Sequence, residues 1–103
     1  MTEQQKNQIE KLLSDWHEAG RAYFENYYSN LVYDSAPYLK TAKEKSKYIC
    51  LDEGTSGAFI LEKSTLTIYC IKSKYGVPNF KKPIGHLDTV TGAMLDRFRY
   101  GRR

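Results

Sequence analysis

"KYICLDEGTSGAFILEKSTLTIYCIK", Lys47 to Lys72, decides the fold. It contains three runs rich in β-branched, aromatic and other apolar residues: Tyr48 to Asp52, Gly57 to Glu62, and Leu66 to Lys72. Such runs suit a pleated, half-buried surface. The gaps between them, "EGTSG" and "KST", are short, and short gaps join antiparallel neighbours, whereas parallel strands need long crossovers. The segment therefore predicts a three-stranded antiparallel meander. Within the third run, Leu66, Ile68 and Cys70 share one face while Thr67, Tyr69 and Ile71 share the other. Both faces are apolar enough to need cover.

Upstream lies the element that can supply it. From Thr2 onward the apolar residues Ile9, Leu12, Leu13, Trp16, Ala19, Tyr23, Phe24 and Tyr27 step by three or four positions, which predicts one long amphipathic helix. Thr2 is a suitable N-cap, and Gly20 marks a bend or a close helix contact. The cluster "YYSNLVYDSAPY" ends the helix near Asn30. "LKTAKEKSK", Leu39 to Lys47, reads as a solvated linker or one or two helical turns.

Downstream, "KYGVPNFKKPIGH", Lys74 to His86, holds Pro78 and Pro83, each lacking a backbone donor, and reads as an exposed basic loop. After it, Asp88 or Thr91 can cap a short last helix carrying Met94, Leu95 and Phe98. The expected architecture is α+β: a long N-terminal helix packed on a small three-stranded antiparallel sheet, then a short C-terminal helix. At 103 residues the chain is expected to form a single domain, residues 1–103. A sheet that small leaves edges, and a homodimer pairing them is compatible with the pattern.

The composition is globular: 41% hydrophobic, 27% charged and 14% aromatic, with nine tyrosines whose flat rings and polar tips suit interfaces. No apolar run is long enough to span a membrane, so a soluble, intracellular protein without a membrane partner is expected. The net charge of +4 hides an asymmetry. Residues 1–62 carry seven Lys/Arg against ten Asp/Glu, whereas residues 63–103 carry nine against two. That polarity steers an acidic partner toward the C-terminal part.

Candidate chemistry is sparse. Cys50 and Cys70, with His17 and His86, have the atoms for zinc but not the spacing, so no metal is expected. Asp52 and Glu53, adjacent on a strand, point to opposite faces and cannot act as a carboxylate pair. "EGTSG" lacks the lysine of a phosphate-binding loop and reads as a hairpin turn. Neither an enzyme nor a cofactor is expected. The binding candidates are the cations Lys72, Lys74, Lys81, Lys82, Arg97, Arg99, Arg102 and Arg103, with the rings of Tyr75, Phe80 and Tyr100. Such a mixture serves an acidic protein surface, where Arg and Tyr are strong anchors, or a phosphate backbone with stacked bases.

Leu51-Asp52, Ser56 to Phe59 ("SGAF"), Ile68 to Lys72, Tyr75 to Pro78 ("YGVP") and Ile84-Gly85 together resemble a pattern in short bacteriophage proteins that carry no assigned activity. The resemblance implies a small viral accessory protein in the cytoplasm of a bacterial host. It would bind and inhibit or modulate a host protein or protein–nucleic-acid complex, a defence nuclease being one such target. The alternative is direct binding of RNA or DNA by the basic C-terminal region.

Overall fold

A computed structural model describes residues 1–28, 30–72 and 75–101. Helix α1 spans Glu3–Tyr27, and its first turn is closed by a capping box in which the Thr2 hydroxyl accepts from the Gln5 N–H while the Gln5 side chain accepts from the Thr2 N–H. A 3₁₀ turn at Ala36–Tyr38 leads into five strands: β1 Lys40–Glu44, β2 Tyr48–Glu53, β3 Ser56–Glu62, β4 Thr67–Ile71 and β5 Pro78–His86. Helix α2, Gly92–Tyr100, follows, with the Thr91 hydroxyl capping it by accepting from the Met94 N–H.

The sheet is antiparallel throughout, in the order β1-β2-β3-β4-β5. It has five strands rather than the three expected, because both flanking segments join its edges. Lys40–Glu44, expected to be a linker or helical turns, pairs with β2 from Lys40↔Glu53 to Glu44↔Ile49. The segment expected to be a basic loop contains β5. An outermost strand can hold prolines, since an absent N–H there need not break a ladder on its free side. The pairing is irregular in compensation: Ile71 faces Pro78 and Tyr69 faces Pro83, so β5 spends extra residues in a bulge between its prolines.

Alternation divides the sheet into two faces. On one, Ile49 and Leu51, Phe59 and Leu61, and Ile68 meet Ile9, Leu12, Leu13 and Trp16 of α1 and Leu87, Val90 and Leu95 near α2. Trp16 stands edge-on to Phe59, with ring centroids 5.2 Å apart. Burying these side chains contributes roughly 1.5–3 kcal/mol each. The long helix thus covers the sheet as its stripe requires. α2 closes against α1 through Gly92, where a Cβ would lie 2.3 Å from backbone atoms of Asp15 and Trp16.

The other face has no helix on it among the described residues. A cross-strand row, Lys43–Cys50–Ile60–Tyr69–Pro83, crosses all five strands. Cys50 and Ile60 at its centre are buried. Rings of the sheet's own edge lie upon this face: Phe80 meets Tyr69 edge-on at 5.0 Å, and Tyr75 lies across Gly57, where a Cβ would come within 2.6 Å of the ring. No helix among the described residues is long and apolar enough to cross a membrane.

Candidate functional site

The sequence-predicted binding residues fall in separate places. On β5, the Asn79 side-chain oxygen accepts the Lys81 N–H at 3.1 Å, which turns the chain inside the bulge and leaves Phe80, Lys81 and Lys82 exposed. Lys72, at the end of β4, is exposed next to the same strand pair, where its N–H donates to Val77 O at 2.9 Å. Among the described residues, none of these three lysines forms an ion pair. Phe80 lies edge-on to Tyr69 on the helix-free face. Tyr75 shares this face, but its hydroxyl donates to Asp52 Oδ2 at 2.9 Å, and that bond to a carboxylate pushes its pKa up.

On the helix-covered face the remaining pair does something else. Arg99 Nε lies 3.4 Å from Glu53 Oε1, and the Tyr100 hydroxyl donates to the same oxygen. Arg97 is exposed on α2. Lys74, Arg102 and Arg103 lie outside the described residues. The structure therefore groups Lys72, Phe80, Lys81 and Lys82 at one edge of the sheet, and it directs Arg99 and Tyr100 to Glu53.

Glu53 belongs to a second locus that sequence reasoning missed. The register sets Lys40 opposite Glu53 on the helix side, and the two side chains are only 3% and 6% exposed. Lys40 Nζ reaches Glu53 Oε2 at 3.1 Å, donates to Tyr38 O at 2.6 Å and stands 5.0 Å from the centre of the Trp16 ring. Glu53 Oε2 accepts no hydrogen bond among the described residues despite its burial. Around this pair, Gly20, Phe24, Tyr28, Tyr33, Tyr38 and Tyr100 complete the lining of a cavity of about 300 Å³.

The cavity's walls brace one another. Tyr33 stacks on Tyr38 and tilts against Phe24, which in turn meets Tyr28. The rim is pinned twice more: His17 Nδ1 donates to Tyr38 O, 3.2 Å away, and the Gly54 N–H donates to Leu39 O at 2.7 Å. Gly54 adopts φ +59°, and a Cβ there would lie 2.3 Å from Pro37 O, so the turn that carries Tyr38 can rest directly on the β2–β3 hairpin. A signal existed in "YYSNLVYDSAPYLK", where four tyrosines and a lysine crowd one stretch, but without β1 nothing set Lys40 beside Glu53.

The remaining titratable groups make local contacts. His86 Nδ1 accepts the Asp88 N–H at 3.0 Å within its own exposed turn, and no group of three or more His, Cys, Asp or Glu is placed to hold a metal among the described residues. Burial pushes the Cys70 thiol up, partly offset by the Lys82 charge. Comparison with protein-family models, curated proteins and solved structures found no match to the chain.

Proposed function

We propose that this chain is a small binding protein of the bacteriophage accessory type, which engages an acidic surface of a host protein complex and thereby inhibits or modulates it. The observation that carries the reading is the β5 bulge, where Phe80 stands exposed beside Lys81 and Lys82, fixed by Asn79 and by Tyr69. A ring held in place costs little entropy on binding, and neighbouring cations that form no ion pair among the described residues are free to meet carboxylates. Edge position matters too, since β5 can be approached from the side as well as from the helix-free face. Strong anchors of this kind lose about 2 kcal/mol or more on truncation, a thirtyfold change in affinity.

The test is affinity purification from bacterial lysate with a tagged chain, run with and without nuclease. The expected result is a protein that survives nuclease, is lost from K81E/K82E, and is weakened by Phe80→Ala, with all variants folded by circular dichroism. Retention by the charge-reversed variant would remove the β5 edge as the contact.

The same exposed lysines, which form no ion pair among the described residues, on the strand pair that carries an exposed ring also support a second reading, a single-stranded nucleic acid held by phosphate contacts and one stacked base. Three cations predict a slope near −2 in log affinity against log salt for single strands. No retardation of RNA or DNA at low salt would dismiss it.

A further inference from the structure

The sheet has two edges, and they are built differently. β5 carries two prolines and a bulge, devices that stop a further strand from adding. β1 carries neither: its five residues pair with β2 one for one, without a shift of register, and no strand among the described residues covers its outer side. Two bonds that bracket it, Gly54 N–H to Leu39 O and Lys45 N–H to Tyr48 O, set the phase of the ladder. In an antiparallel pair, residues that bond the neighbouring strand alternate with residues that do not. Thr41 and Lys43 therefore direct their backbone groups to β2, whereas Lys40, Ala42 and Glu44 direct theirs outward. The outer side of β1 is an open half of a ladder.

What fits that half can be read from the side chains of "KTAKE", Lys40 to Glu44. Like charges directly opposite each other on paired strands are destabilising, and opposite charges are favourable. Two copies of β1 can pair antiparallel about a two-fold axis through any of its residues. An axis at Lys40, Lys43 or Glu44 opposes that residue to its own copy, charge against like charge. An axis at Thr41 leaves two residues of the strand without a β1 partner. An axis at Ala42 pairs all five, sets Lys40 opposite the partner's Glu44 at both ends, and sets Lys43 opposite the partner's Thr41. Ala42, the smallest side chain of the strand, is exposed at that axis, and the flank of α1 beside it bears Lys6 and Glu10 and so is not of one sign. The strand's charges thus exclude most self-pairings and favour one.

We propose that β1 is a dimerisation edge, through which two copies of this chain join antiparallel with Ala42 on the two-fold axis, so that two five-stranded sheets merge into one. β1 and β5 are the opposite edges of each sheet, so the merged sheet ends in a β5 edge on both sides and presents two contacts to one target. That consequence rests on the β5 reading above; the pairing itself does not.

Sedimentation equilibrium from about 10 μM to about 1 mM should show monomer and dimer exchanging with a Kd on the order of 100 μM, since a five-residue edge is smaller than a standard interface. Ala42→Pro removes an outward N–H and none that β2 uses, so the folded variant should stay monomeric throughout. Ala42→Cys tests the register: opposite its own copy, at a spacing a disulfide can bridge, it should cross-link on mild oxidation, whereas Thr41→Cys, opposite Lys43, should not. The cysteine pair decides the matter even where Ala42→Pro fails to fold. A chain still monomeric at about 1 mM overturns the proposal. If the β1 amides are then protected from hydrogen exchange only with the affinity-purified partner bound, the edge belongs to a strand of that partner. A dimer that folded Ala42→Pro leaves intact overturns it too, because the copies then meet elsewhere, as does equal cross-linking of Thr41→Cys and Ala42→Cys.

Discussion

Glu53 and Asp52 are neighbours in sequence with opposite fates. Each sits on its own face of β2, and each receives a tyrosine hydroxyl, from Tyr100 and Tyr75 respectively. Glu53 also meets Lys40 in a nearly dry setting. Removing one member of such a pair leaves the other charge buried without compensation, so Glu53→Leu should destabilise the fold by about 3 kcal/mol in urea unfolding. Adding Lys40→Met to that variant should restore most of the loss; a double variant no more stable than the single would mean that Lys40 is not held by Glu53. Tyr75 gives a pH prediction. Its pKa is raised in the fold, so its contribution is fully present below the ordinary phenol value of about 10 and is lost as pH rises above it, where only the unfolded chain releases the proton. Stability should therefore fall in alkali, weakly because the ring is half-exposed. In alkaline absorbance titration, Tyr75→Phe should lose a late-ionising phenol, and loss of an early one would show the Asp52 bond absent in solution.

At the scale of elements, legibility followed burial. The long helix announced itself because its buried residues Ile9, Leu12, Leu13 and Trp16 recur at helical spacing, and β2, β3 and β4 because their interiors are apolar. β1 gave no such signal: four of its five residues are exposed, and nothing in "KTAKE" alternates. β5 sent a misleading one, since Pro78 and Pro83 forbid a central strand but not an outermost one. The Glu53 cavity was illegible for the same reason, because its ion pair exists only through the β1–β2 register. Of the two proposed caps for the last helix, Thr91 takes the role. Thr91→Ala should cost about 1 kcal/mol. Gly92→Ala, one residue on, should cost more, about 3 kcal/mol, because its methyl would enter the α1 backbone at Asp15 and Trp16. Comparable denaturation midpoints for the two variants would show that α2 does not pack so closely.

The molecule as a whole carries two loci at opposite edges of one sheet. The helix-covered side near β1 holds the aromatic box around Glu53, and the far edge is the β5 bulge with its exposed lysines, where the Phe80 ring meets Tyr69 on the uncovered face. The excess of positive charge in residues 63–103 was visible in the sequence; its division was not. Tertiary pairing directs Arg99 inward to a carboxylate and leaves Lys81 and Lys82 without one among the described residues. Charge count alone could not distinguish a cation that braces the fold from one that is available to a partner. The most direct measurement is an NMR titration of labelled protein with the partner recovered by affinity purification. Amide shifts should concentrate on Pro78–His86 and on the Tyr69–Ile71 stretch of β4 beside it. Shifts concentrated on Glu3–Tyr27 or Lys40–Glu44, with β5 unmoved, would contradict a contact surface built on the bulge.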